Sequence, residues 1–126
     1  MTERVPLLLD VDTGIDDAAA IALAWHSPET RLLSVSTVAG NTTIGNATRN
    51  TLDVLDLLGA SSVEVYQGAS RPLVRELVTA SYAHGDNGVG GAALQARTVA
   101  HAVGIGVRMD GLEVGGTVVH LGAFRV

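Results

Sequence analysis

The 126-residue chain contains no cysteine. Disulfides, a thiol nucleophile and cysteine-ligated zinc or iron–sulfur sites are therefore excluded. Lysine is also absent, and all eight basic residues are Arg. That removes the Walker-type phosphate loop, Schiff-base chemistry and any other mechanism built on a catalytic lysine. Aromatic residues are few: Trp25, Tyr66, Tyr82 and Phe124. Thirteen acids against eight bases give a net charge of -5, and no basic patch is interleaved with aromatics. Nucleic acid is therefore not an expected partner. Long apolar runs are missing as well. Val5 to Leu9 is too short for a signal peptide or a membrane span, so no membrane partner is expected and the expected location is cytoplasmic. On that expectation the sequons at Asn41 and Asn46 carry little weight.

What is present describes a folded chain. Hydrophobic residues make up 47% and charged residues 17%, too apolar and too weakly charged for a disordered tail. The length is that of one domain. Glycine is enriched, at 15 residues, without the three-residue period of collagen. The excess points to loops that bend sharply or approach something closely.

Hydrophobic patterning gives an alternating order of elements. Val5 to Asp10 is a continuous apolar run, as in a strand buried on both faces. A helix opens at Asp16 and Asp17, with Ala18, Ile21, Ala22 and Trp25 on one face, and Ser27-Pro28 ends it. Leu32 to Val38 is a second strand. Thr42 to Leu58 is a second helix, with Ile44, Leu52, Leu55 and Leu58 mostly on one side and Gly59 at its C-terminal cap. Val63 to Tyr66 is a third strand. This order implies a parallel sheet with flanking helices, a Rossmann-like α/β fold of about four strands. Beyond Gly68 a short helix is expected at Arg75 to Ser81, a glycine-rich loop at His84 to Gly91, a helix weakened by Gly104 and Gly106 at Arg97 to Val107, and a strand at Thr117 to Leu121.

Four of the thirteen acids fall within Asp10-Val11-Asp12-Thr13-Gly14-Ile15-Asp16-Asp17, at the junction of the first strand and helix. Ligands of parallel α/β sheets bind at the carboxyl ends of strands. Capping and the helix dipole account for one or two of these acids, but not for Asp10 at the end of an apolar strand. Four neighbouring carboxylates repel one another unless a cation or bound hydroxyls compensate. A hard cation with oxygen ligands, Ca²⁺ or Mg²⁺, is the natural partner. An EF-hand does not fit, because Ile15 and Ile21 would occupy its glycine and glutamate positions. LLLDVDTG also resembles the first motif of haloacid-dehalogenase-type phosphatases, with Asp10 as nucleophile and Asp12 as general acid. Gly14 stands where that family has Thr or Val, and there is no lysine for the phosphate charge.

The segment LLLDVDTGIDDAAAIALA resembles the N-terminal signature of the inosine–uridine preferring nucleoside hydrolase family. The likeness continues in order through LLSVSTVAGNTT, ATRNTLDVLDLLG, VEVYQGASRPLV and HGDNGVGG, covering about Val5 to Gly91. The resemblance implies cleavage of the N-glycosidic bond of ribonucleosides to ribose and free base, through an oxocarbenium-like transition state, with Ca²⁺ as cofactor. It implies that Asp12 is the general base and a metal ligand, Asp17 the second carboxylate ligand and Asp10 a supporting member of the metal site. Asp16, Asn41 and His84 are implied on the substrate, with His84 near the nucleobase. A ribonucleoside is the implied small-molecule partner, and the family's habit of oligomerising makes a homo-oligomer an expectation.

The pattern also departs from the family. Its chains are more than twice as long, and its Ca²⁺ shell takes a mid-chain threonine carbonyl and a late aspartate. A late histidine, or another group, assists the leaving base, and none of these three has a counterpart here. VVHLGAFRV resembles a family strand, yet it follows His84 too soon. An internal deletion or shifted reading frame between about residues 102 and 116 would produce this pattern. The expectation is one partial nucleoside hydrolase domain over residues 1–126, well matched over 1–91 and poorly matched over 92–126. The alternative from another class is a catalytically inactive chain that binds metal or ribose, pairing with another chain over an exposed sheet edge.

Overall fold

The computed structural model describes residues 3–94, 103–104 and 117–120. Its elements are β1 (Val5–Val11), α1 (Ile15–His26), β2 (Thr30–Thr37), α2 (Ile44–Leu57), β3 (Glu64–Gln67), α3 (Ser81–His84), β4 (Val103–Gly104) and β5 (Thr117–His120). The strands form one sheet in the order β4-β3-β2-β1-β5, and every pairing is parallel. The parallel α/β class expected from the β-α-β-α-β order is the fold observed, with five strands among the described residues where about four are expected.

β1 pairs with β2 from Val5↔Thr30 to Val11↔Thr37, with an irregularity between Leu7 and Leu8. Along β1, Leu7, Leu9 and Val11 are buried while Pro6, Leu8 and Asp10 are half-buried. The strand is therefore fully covered on one face and only partly on the other, not buried on both. The crossover helices α1 and α2 pack against each other as well as against the sheet. The covered face holds the core: Leu7, Leu9 and Val11 of β1, Ile21 and Ala24 of α1, Leu32 and Val35 of β2, Val54 and Leu55 of α2, then Val63 and Val65. Trp25 packs against the edge of this cluster as a core residue.

α2 differs from its apolar reading. Thr43 caps its N-terminus, its side chain accepting from the Asn46 amide at 3.3 Å. Val54 and Leu55 enter the core near the helix's C-terminal end, but the turns before them bury Thr48, Asn50 and Thr51. Thr51 and Thr13 hydroxyls meet at 2.6 Å, and those of Thr48 and Thr37 at 2.8 Å. A layer of buried, hydrogen-bonded polar groups thus lies between α2 and the strand ends, where periodicity alone expects hydrocarbon.

Two further expectations are corrected. Residues 75–80 form no helix. The Ala80 amide donates to the Asn41 carbonyl at 2.8 Å, and a single helical turn follows only at Ser81–His84. Within the expected helix Arg97–Val107, Val103 and Gly104 form β4 against Tyr66 and Gln67. The rest of that span lies outside the described residues, as do residues 108–116. Thr117 to His120 pairs with Leu7 to Asp10, in agreement with the expected strand there.

Candidate active site

The carboxyl ends of β1 and β2 open into a cleft of about 790 Å³. Asp10, Asp12, Asp16, Gly40, Asn41 and His84 line one side, and the segment Pro72 to Ala83 lines the other, with Arg75 and Thr79 among its residues. Five of the six residues singled out in the sequence therefore face one cavity. The sixth, Asp17, lies behind it, 1% exposed, with its Oδ2 accepting from the Asp12 amide at 3.1 Å.

Both carboxylate oxygens of Asp12 are engaged. Its Oδ2 accepts from the Asn41 amide at 2.5 Å, and its Oδ1 from the Asn41 side-chain amide at 3.1 Å. Two donors from one residue fix the plane of the carboxylate. Gly40 makes this fit sterically possible, because a Cβ there would lie 2.1 Å from Asp12 Oδ2. The Gly-Asn corner after β2 is thus a socket for Asp12. Asn41 reaches the cleft, with its amide nitrogen turned onto the acid.

Asp10 sits opposite Ser36 in the β1–β2 register, and the Ser36 hydroxyl donates to Asp10 Oδ1 at 2.6 Å. Asp16 is largely exposed at the start of α1, where its charge suits the positive end of the helix dipole. The helix is preceded by Gly14, with no side-chain cap. His84 partly fills that role. Its Nδ1 accepts from the Ile15 amide at 3.2 Å and lies 3.9 Å from Asp16 Oδ1. With Nδ1 accepting, the proton of a neutral ring resides on Nε2. A Cβ on Gly14 would come within 2.5 Å of that Nδ1, so glycine at this position lets the imidazole dock. His84 is 16% exposed, a seated residue rather than a solvated loop side chain.

Electrostatics set Asp17 apart. Burial, then its hydrogen bond to the Asp12 carboxyl and the charges of Asp12 and Asp16, push its pKa from 3.8 up to about 7. A buried carboxyl raised in this way by two neighbouring acids marks a concentration of negative charge that a hard divalent cation relieves. The chemistry of this donor pair therefore fits such an ion, with Asp12 on the cleft side and Asp17 beneath it. Among the described residues no group of three or more His, Asp or Glu side chains converges as a metal cage. The remainder of an oxygen shell would come from water, substrate or other parts of a protein.

Several supporting residues carry no motif by which the sequence alone marks them: Ser36 on Asp10, Thr51 on Thr13, and Asn50 and Asn87 at the loops. Asn87 Oδ1 accepts from the amides of Val89 and Gly91, and its Nδ2 donates to the Ala92 carbonyl. Its one sequence signal is its place before a glycine in HGDNGVGG. His26 ends α1 away from the cleft. His101 lies outside the described residues.

An acidic cleft at the carboxyl ends of β1 and β2 lies where parallel α/β sheets bind their ligands. Residues 7–120 match the family model described as inosine-uridine preferring nucleoside hydrolase, and the chain belongs to that family. It is 45% identical over 84 residues to the inosine-uridine preferring nucleoside hydrolase of Crithidia fasciculata, covering 67% of this chain and 27% of that protein. It is 50% identical over 88 residues to a non-specific ribonucleoside hydrolase of Klebsiella pneumoniae, covering 70% and 29% respectively. Among solved structures, a purine-preferring ribonucleoside hydrolase from Gardnerella vaginalis superposes with a TM-score of 0.68 at 37% identity, over 72% of this chain and 30% of that one. A plant nucleoside hydrolase superposes with a TM-score of 0.69 at 34% identity, over 76% and 31%. The chain thus spans less than a third of the length of these relatives. Among the described residues no helix is long and apolar enough to cross a membrane.

Proposed function

We propose that this chain carries the acidic half of a Ca²⁺-dependent ribonucleoside N-ribohydrolase site. The observation that supports it most is the seating of Asp12. Both its oxygens are held by Asn41, at the mouth of the cleft and beside the protonation-shifted Asp17. Asp12 and Asp17 would hold the ion, with Asp10 supporting from β1. When bound, Ca²⁺ supplies a Lewis acid that lowers the pKa of water.

The chain's own residues divide the remaining work. Asp12 is the general base that takes a proton from the attacking water, its carboxylate kept in one plane by Asn41. Asp16 accepts hydrogen bonds from ribose hydroxyls at the open end of α1, and Asn41 contacts the sugar from the opposite edge. His84 lies beside Asp16 with its Nε2 proton available toward the base. The water oxygen bonds to C1′ as the C1′–N bond breaks, the base leaves with a proton taken up from solvent or a neighbouring donor, and the positive charge developing on the ribose is stabilised by the surrounding carboxylates.

The second reading, a chain that binds metal or ribose without turnover, draws on the span of the match, which covers less than a third of each relative's length. Membership in the nucleoside hydrolase family sets the phosphatase reading aside. Release of free base from inosine or uridine, at high protein concentration and millimolar Ca²⁺, tests the enzyme. Base release that disappears in Asp12→Asn supports hydrolysis by this chain. Calorimetric Ca²⁺ binding without base release supports the inactive reading, and absence of both defeats the metal site as well.

A further inference from the structure

We infer that Asn50 of α2 is a positioning residue that clamps the loop after Asp12 to the glycine-rich loop after His84. The inference rests on the functional reading above for its importance, but on geometry alone for its existence. Asn50 is 5% exposed, and its Nδ2 group has two protons to place. One is donated to the Thr13 carbonyl at 3.2 Å, in the loop that follows Asp12. The other is donated to the Asn87 carbonyl at 2.9 Å, in the glycine-rich loop that follows His84. Those carbonyls are distant in the chain, and one amide group bridges them.

Independent features converge on the same junction. Gly88 has φ +85°, and a Cβ there would lie 2.9 Å from Thr42 Cγ2 and 3.0 Å from Asn50 Nδ2. The loop therefore rests its backbone directly on the clamp, in a conformation that favours glycine. One turn earlier on α2, Asn46 Nδ2 donates to the Asp86 carbonyl at 3.1 Å. At the far end of the glycine-rich loop the Gly90 amide donates to the His84 carbonyl at 2.7 Å. The path from Asn50 through Asn87 and Gly90 ends at the imidazole that caps Ile15, and the path through Thr13 ends at Asp12. The spacing of His84 from the acids is in this way set from α2, a helix that contributes no side chain to the cleft lining.

Hydrogen exchange in the full chain, without metal or substrate, tests the clamp. The reporters are the amides of Gly88, Gly90 and Gly91 and the amide of Ile15, whose acceptor is His84 Nδ1. In Asn50→Leu these amides should exchange roughly tenfold faster relative to wild type, about 1.4 kcal/mol, while Leu9 and Val11 in β1 keep their protection. Gly88→Ala leaves α2 intact and should produce the same selective acceleration, which covers the case in which Asn50→Leu fails to fold. Unchanged exchange at Ile15 and the loop in a folded variant would overturn the proposal. Acceleration that is equal in β1 and the loop would also overturn it, since Asn50 would then be only a stability residue. The base-release assay decides the hydrolase reading separately, and its failure leaves the exchange result standing.

Discussion

Asp17 concentrates the electrostatic cost of the site in one side chain. Its folded-state pKa of about 7 lies above the ordinary 3.8, so the folded chain holds a proton that the unfolded chain releases. The resulting stabilisation is complete below the ordinary value of 3.8 and is lost as pH rises through about 7. Metal-free protein should therefore melt at progressively lower temperature as pH rises across that window, relative to Asp17→Asn. Melting followed by circular dichroism in a chelator checks this; parallel pH profiles for the two proteins would refute it. Saturating Ca²⁺ should flatten the difference, because the bound ion favours the deprotonated acid. Gly40 offers a steric counterpart. Gly40→Ala places a methyl group 2.1 Å from Asp12 Oδ2, and overpacking of this kind typically costs about 1–3 kcal/mol. A lowered urea midpoint together with weakened calorimetric Ca²⁺ binding is the expected result. At this scale the charged residues were legible and their partners were not. The acids stand out as a run, whereas Ser36, Asn50 and Thr51 are ordinary polar residues until the fold brings them to Asp10, Asn87 and Thr13.

At the scale of elements, β1, α1, β2, α2 and β3 follow from local pattern to within about two residues at each end, the usual uncertainty of such boundaries. Apolar strands and a capped helix are local phenomena, and local sequence encodes them. The N-terminal cap at Thr43, which the sequence pattern places inside the helix, is a local contact of this kind. The Thr43 side chain accepts from the Asn46 amide, so Thr43→Ala should destabilise the chain by about 1 kcal/mol, read as a shift in urea midpoint with unchanged slope. The expectations that failed were those decided by non-local partners. Residues 75–80 have helix-compatible composition, yet the Ala80 amide bonds to Asn41. Val103 and Gly104 lie in a weak helical pattern, yet the open edge of β3 takes them as a strand. A sheet edge exerts no influence that a window of neighbouring residues can register.

For the whole molecule, the core is one cluster between the sheet and the two packed helices. Leu55 is 2% exposed at its centre, and Leu55→Ala should cost about 2–5 kcal/mol. Leu73 and Val74 are 99% and 98% exposed, so alanine at either should change stability by less than about 0.5 kcal/mol. Chemical denaturation of the three variants provides the comparison, and a loss at Leu73 to match Leu55 would mean that this segment is covered in solution.

The sequence by itself determined the parallel α/β class, the family, and the strand-to-helix junction that carries the acids. Each of these rests on periodicity or on short contiguous motifs, which are properties of neighbouring residues. Only the tertiary structure decided which side chain holds which. It turned Asn41 onto Asp12, buried Asp17 beside that acid and raised its pKa, seated His84 over Gly14, and set the polar turns of α2 to join two distant loops. Those outcomes depend on desolvation and on hydrogen bonds between groups far apart in the chain, and neither exists until the sheet has closed its register.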